Sequence, residues 1–222
     1  MNTNLVIIPA RGRPDKAEFA FYELKRFSKI SDFMIGLDDD DADNYPEIDG
    51  VIRGVNPRLK MNGTLNLLAT KYADKYETIT FMGDDHVVRT DGWDEKLYEP
   101  IKNRGFGISY GNDLFQGENL PTMVMMSTNI IKELGFMAPP KLIHLFMDNF
   151  WKVFGQVLGC LDYKGDVIIE HMHYMAGKSK VDAQYQEVNS SDVSGHDALA
   201  FKEYAETYLK DDAIRVLMAV SK

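Results

Sequence analysis

Cysteine is almost absent from this 222-residue chain: Cys160 stands alone, so no disulfide can form within it. Its neighbours Leu158, Gly159 and Leu161 suggest a buried thiol in a reducing compartment, the cytoplasm by default. Long apolar runs are missing as well. No stretch approaches the roughly 18 uninterrupted apolar residues of a membrane span, and the opening run Leu5-Val6-Ile7-Ile8 is too short for a signal peptide. Basic charge is in deficit, with 25 Lys and Arg against 34 Asp and Glu and a net charge of −9. A general electrostatic grip on nucleic acid needs a basic face, so this balance argues against one while leaving room for a local basic groove.

What is present fits one α/β domain with a helical appendage, with boundaries expected at residues 1–190 and 191–222. Residues 5–9 read as a buried strand running into the loop Ala10-Arg11-Gly12-Arg13-Pro14. Asp15 is expected to cap the following helix, with Glu18 completing a capping box. Residues 33–37 read as a second strand ending at Asp38. Asn62 is expected to cap a helix in which Leu65, Leu68, Ala69 and Tyr72 share one face, and a strand over 78–82 follows. Strand and helix alternating in this order imply a mostly parallel central sheet flanked by helices. Later strands are predicted over 107–110, 122–127 and 167–174. Helices are predicted over 128–134, closed by Gly135, and over 143–158. Residues 190–196 read as a polar loop, and 197–220 as one amphipathic helix with Leu199, Tyr204, Tyr208 and Leu217 on its apolar side.

Chemistry concentrates where apolar runs stop at charge. Ile79-Thr80-Phe81-Met82 ends at Gly83-Asp84-Asp85-His86. An unpartnered charge is expensive to bury, so such a group sits where a strand leaves the core, the edge at which open α/β sheets bind ligands. Two aspartates and a histidine there can hold a divalent cation, or form an ordinary acidic turn. Arg11 and Arg13 flank a strand-to-helix loop suited to phosphate, yet that loop lacks both the Gly-Lys-Ser/Thr ending of a P-loop and the G-x-G-x-x-G fingerprint. The run from Asp38 to Asp43 is not an EF-hand, because Pro46 takes the loop's apolar position and Gly50 stands where a bidentate Glu is required. Asp38 itself is placed to accept from a nucleobase N–H. Asp148, amid Leu145-Phe146-Met147 and Asn149-Phe150-Trp151, is either a helix-cap carboxylate or a general base whose pKa burial raises. His171 and His173, two apart on a predicted strand, share a face and make half a metal site that Asp85 could complete. Lys178 and Lys180 follow as point charges for phosphate. The aromatics Trp93, Tyr110 and those of segment 146–151 serve either as core or as a stacking surface for a sugar ring or base.

Taken in order, Ile7-Ile8-Pro9-Ala10-Arg11-Gly12-Arg13-Pro14, Gly36-Leu37-Asp38, Phe81-Met82-Gly83-Asp84-Asp85-His86, Phe146-Met147-Asp148-Asn149 and Glu170-His171-Met172-His173-Tyr174 resemble the GT-A nucleotide-sugar glycosyltransferases. The similarity is to family 2-like members and small phage-encoded relatives, over about residues 4–185. It implies a GT-A-like fold with a C-terminal helical extension. It further implies a nucleotide-diphosphate sugar donor, most simply a UDP-sugar, and Mn²⁺ or Mg²⁺ as cofactor. Pro9, Ala10, Arg11 and Arg13 would line the nucleotide pocket, Asp38 would contact the base, and Asn62 and Asn66 would border the ribose and sugar. Asp84 would contact the donor, and Asp148 would deprotonate the acceptor hydroxyl. Asp85 would bind the metal, joined by His173 or His171. The family's first motif aspartate falls at Gly83, and an alternative alignment pairs Asp84 with His86. Kinship with phage enzymes implies a hydroxymethylated base in DNA as acceptor and the host cytoplasm as location. Two other readings stand beside this one: a sugar-phosphate nucleotidyltransferase and a non-catalytic binding module.

Overall fold

Leu5, Val6, Ile7 and Ile8 are fully buried because their strand, β1 (Asn2–Ala10), lies between two others. The computed structural model describes residues 2–181 and 183–221. In it β1 pairs in parallel with β2 (Ser31–Asp38), beyond which lies β3 (Val51–Asn56), also parallel; on its other side it pairs in parallel with β4 (Tyr76–Phe81). Unbroken apolar runs are what strands covered on both faces require. Helices α1 (Pro14–Arg26) and α2 (Lys60–Tyr72) supply the cover, burying Phe21 and Leu24 from one and Leu65 and Leu68 from the other.

Beyond β4 the sheet changes sense. It continues through β7 (Val124–Ser127), β6 (Ile108–Asn112), β8 (Leu161–His171) and the short edge strand β5 (His86–Val88), giving the order β3-β2-β1-β4-β7-β6-β8-β5. Only β6 and β8 pair in parallel within this half. The remaining helices are α3 (Trp93–Arg104), α4 (Thr128–Leu134), α5 (Met147–Val157), α6 (Ala183–Val188), α7 (Ser191–Thr207) and α8 (Leu209–Val220). As expected, Gly135 closes α4, in the left-handed region at φ +80°. Cys160 is buried, and burial pushes its thiol up to about 12. Among the described residues no helix is long and apolar enough to cross a membrane.

Several local expectations need correcting. Arg13, not Asp15, holds the cap position of α1, because Pro14 with its fixed φ opens the helix and leaves Asp15 in the first turn. Asn62 does not cap α2 but lies inside it, fully buried. The helix predicted over 143–158 starts only at Met147: the backbone N–H groups of Ile143, His144 and Leu145 donate to the carboxylate of Asp197, at 2.7 to 2.9 Å, instead of beginning a helical turn. Strand β8 starts earlier than predicted and ends at His171. His173 therefore leaves the strand face and caps a 3₁₀ turn, its Nδ1 accepting from the N–H of Met175.

The C-terminal segment differs most. Residues 191–196 are helical rather than loop, because Ser190 caps α7 by accepting from the N–H of Val193. The single helix expected over 197–220 is two. Burial falls on Asp197, Ala200 and Tyr204 in α7 but on Ala213 and Val216 in α8, a phase that one continuous helix cannot present to one surface. Leu199, Tyr208 and Leu217 are consequently exposed. Both helices join the main core, where Tyr204 packs edge-on against Phe150 and Phe136.

Candidate active site

Register brings the strand ends together. Ala10 pairs with Leu37, Asp38 with Asn56, and Ile7 with Phe81, so the loops after β1, β2, β3 and β4 leave the sheet at one edge. They open onto a cavity of about 430 Å³. Pro9, Ala10, Arg11, Arg13, Asp38, Asp84, Asp85, His86, Asp148, His171 and His173 all line it. Three expected residues do not. The amide of Asn62 donates to the carbonyls of Pro139 and Leu142, and that of Asn66 to Ala138, whose N–H its Oδ1 accepts. Both are spent fastening the 137–142 loop to α2. Lys178 instead pairs with Glu170 at 2.9 Å, beside Arg89.

At the ends of β1 and β2, the Arg11 guanidinium donates to Asp40 through both terminal nitrogens (2.6 and 3.0 Å) and to Asp38 Oδ2 at 2.8 Å. Asp40, then Asp38, hold its pKa above the ordinary guanidinium value. Asp41 accepts from the N–H of Gly12 at 2.7 Å, tying the two loops. Arg13 reaches Asp84 at 3.3 Å and lies over the ring of Tyr185. Burial, and then the charge of Asp85, push Asp84 up to about 6 against the pull of Arg13.

Deeper in the cavity, β5 pairs antiparallel with β8 so that His86 faces His171, and the two rings stack with centroids 4.3 Å apart. Asp85 sits between them: its Oδ2 is 3.3 Å from His171 Nε2 and its Oδ1 3.4 Å from His86 Nδ1. Burial pushes Asp85 up, but His171 and His86 together outweigh it and hold the carboxyl well below its usual range. Burial also opposes a charged His171, yet Asp113 and Asp85 together raise it to about 9; His86 is lowered by burial and then by His171.

These three residues fit a cation. Their ligand atoms lie within 4.8 Å of one another. Ligands at about 2.1 Å from one ion stand roughly 3.0 to 3.4 Å apart at octahedral to tetrahedral angles, the spacing that Asp85 shows to both rings. His86 Nδ1, the ring atom turned to Asp85, is buried without a hydrogen-bond partner. Gly83 leaves the cradle open, since a Cβ there would stand 2.7 Å from Asp85 Oδ1 and 2.9 Å from His86 Nδ1. His173 borders the cavity but falls outside this set. Of the aromatics, Trp93 and Tyr110 are core, donating to the carbonyls of Leu24 and Glu118, while Phe146 and Trp151 reach the cavity wall. Asp148 lies in the first turn of α5, and burial raises its pKa.

Several participants were not read from the sequence. Asp113 stands behind both imidazoles: its Oδ1 accepts the N–H groups of Phe115, Gln116 and Gly117, and its Oδ2 accepts from Thr122, 3.9 Å from His171 Nδ1. A carboxylate following the strand Ile108–Asn112 was a usable signal, of the same kind as Asp38. Arg58, Lys60, Tyr185 and Glu187 also line the cavity, and His144, which burial pushes down to about 4, presents a neutral ring there. Tyr185 and Glu187 come from α6, whose sequence carries no comparable signal.

No family model matches the chain, and no curated protein matches it. Solved structures do, at the level of fold. TarS from S. aureus superposes with a TM-score of 0.56 at 10% identity over 91% of this chain, which spans only 43% of TarS. The mannosyltransferase PcManGT from Pyrobaculum calidifontis, solved with GDP-Man and Mn²⁺, gives 0.56 at 10% identity, over 99% of this chain and 75% of that one. A Bacillus anthracis protein assigned as a glucose-1-phosphate thymidylyltransferase gives 0.52 at 10%, over 85% and 97%. The fold is thus GT-A-like, a mixed α/β architecture whose eight-stranded sheet is flanked by helices.

Proposed function

We propose that this chain is a divalent-metal-dependent glycosyltransferase taking a nucleotide-diphosphate sugar. The observation that carries the reading is the convergence, in one cavity at the carboxyl edge of parallel strands, of an Asp-His-His cation set and two arginines. Likeness to a mannosyltransferase solved with GDP-Man and Mn²⁺ supports it. Asp85, His86 and His171 would hold the metal, and two imidazoles favour Mn²⁺ over Mg²⁺, which prefers oxygen ligands. When bound, such an ion supplies positive charge against the negative charge developing on the leaving diphosphate.

The chain's own groups do the rest. Arg11 and Arg13 present planar forks to phosphate oxygens, and Arg11 arrives already oriented by Asp38 and Asp40. Asp38, the last residue of β2, contacts the base and holds Arg11. Asp148 accepts the proton of the acceptor hydroxyl as its oxygen bonds to the anomeric carbon, while the bond from that carbon to the diphosphate breaks with inversion. Burial suits Asp148 to this work by raising its basicity. Phe146 and Trp151 offer apolar wall to the sugar or acceptor.

The test is consumption of UDP- and GDP-sugars by the purified chain with Mn²⁺ and with EDTA, repeated with Asp85→Ala. The acceptor panel should include DNA bearing hydroxymethylpyrimidines. Undiminished activity in EDTA and in the variant overturns the metal assignment. Likeness to the B. anthracis protein favours a second reading, a nucleotidyltransferase. Release of pyrophosphate from a nucleoside triphosphate and a sugar phosphate would select it.

A further inference from the structure

Helix α6 is six residues long, yet it reaches both halves of the cavity. The Tyr185 hydroxyl donates to Asp85 Oδ2 at 2.7 Å, on the face Asp85 turns to His171. Two residues on, Glu187 Oε1 accepts from both Arg58 Nη2, at 2.8 Å, and Lys60 Nζ, at 2.6 Å. One carboxylate oxygen thus serves two cations that are more than 120 positions away in sequence. Those cations are set by the backbone: Asn56 ends β3 beside Asp38, Arg58 follows two residues later, and Lys60 opens α2 in the left-handed region at φ +63°. A non-glycine residue held there is strained. Lys60 first, then Arg58 and Arg11, hold the Glu187 carboxyl below its usual range, so Arg11 belongs to the same basic cluster.

Without Glu187, two neighbouring positive charges would face the cavity with no shared counter-charge. The tie is nevertheless a light one, because Arg58, Lys60 and Glu187 are all 37–46% exposed and water screens the pair. An anion of higher charge than a carboxylate can therefore replace it.

We propose that Arg58 and Lys60 form an anion subsite of the cavity, that Glu187 fills this subsite in the unliganded chain, and that a phosphate-bearing ligand binds by displacing Glu187 and with it α6. That the ligand is a sugar donor rests on the function proposed above; the displacement itself does not. Tyr185 leaves Asp85 in the same movement, so phosphate binding also uncovers the cation set.

Inorganic pyrophosphate in EDTA is the probe, titrated calorimetrically into the full chain. Glu187→Gln removes the internal competitor and tightens pyrophosphate binding about two- to fivefold, the span of an exposed ion pair. The same substitution in an Arg58→Ala, Lys60→Ala background changes nothing, because the subsite is gone. Limited proteolysis provides a second readout: Glu187→Gln exposes the 183–188 segment to cleavage in the absence of ligand, and pyrophosphate exposes it in the unaltered chain. Unchanged or weaker binding by Glu187→Gln overturns the proposal, and so does tightening that persists without the two cations. Since the probe needs neither metal nor sugar, a chain that tightens as expected but transfers no sugar would refute only the transferase reading.

Discussion

A single methyl group added at Gly83 tests the cation site more sharply than removing a ligand does. Gly83 is not in the left-handed region, so alanine meets no backbone penalty and the effect is steric. Its Cβ would stand 2.7 Å from Asp85 Oδ1, 2.9 Å from His86 Nδ1 and 3.2 Å from His86 Cε1. Restoring an ordinary contact of 3.4 Å to the carboxylate means a movement of 3.4 − 2.7, or 0.7 Å. Neither neighbour yields easily: His86 is buried and stacked on His171, and Asp85 is held by Tyr185 and His171. Metal–ligand distances tolerate about 0.2 Å, so the shift is several times what a coordination shell absorbs. Gly83→Ala should lower Mn²⁺ affinity about 10- to 100-fold, the range seen when supporting residues are disturbed. In EDTA it should cost about 1–3 kcal/mol of stability, as overpacking does. Calorimetric Mn²⁺ titration and thermal melts in EDTA read the two effects separately. Gly83→Asp, which places a bulkier side chain at the same point, should bind worse still. Mn²⁺ binding by Gly83→Ala within twofold of the unaltered chain would refute the assignment of Asp85, His86 and His171 as one cation set.

Strands β1 and β4 were legible because their apolar runs are continuous, and Asp38, Asp84 and Asp85 because charge follows such runs directly. Their meeting was implied only by the family resemblance and by no local pattern, since it depends on the pairing of Ala10 with Leu37 and Ile7 with Phe81. His86 and His171 were both singled out, yet only the antiparallel β5–β8 register stacks them. Asn62 and Asn66 show the opposite error. Polar groups on a helix near the cleft were read as facing donor, whereas the carbonyls of the 137–142 loop are nearer partners. Asp197 was missed for a related reason: after a polar, Ser/Gly-rich stretch it was read only as the start of a helix. The three N–H groups that need it lie more than fifty residues away. Composition predicts exposure well where neighbours in sequence are neighbours in space, and Asp197 is where that link breaks.

Asp148→Asn should lower kcat about 10²- to 10⁴-fold with little change in KM. In the unaltered chain the rate should rise with pH through a value above the ordinary carboxylate range, since the base works deprotonated; a flat profile or an unimpaired variant removes Asp148 from the chemistry. Asp113→Asn keeps an oxygen for the N–H groups of Phe115, Gln116 and Gly117 but weakens the support behind His171. It should reduce Mn²⁺ affinity about tenfold or more while leaving the melting temperature nearly unchanged, and unaltered affinity would show that Asp113 only fastens its loop. Asp197→Ala leaves the N–H groups of Ile143, His144 and Leu145 without their acceptor, a loss of about 3 kcal/mol and of roughly 6–12 °C in melting temperature for a chain this size. Burial opposes the charged form of Asp197, but those N–H groups and His196 outweigh it and depress the folded pKa. The contribution is therefore complete above the unfolded value of about 3.9 and is lost as pH falls through the lower folded one. Melts of both proteins from pH 7 downward should converge on the acid side; curves that stay parallel to the lowest pH would show that the carboxylate does not bind α7 to the loop entering α5.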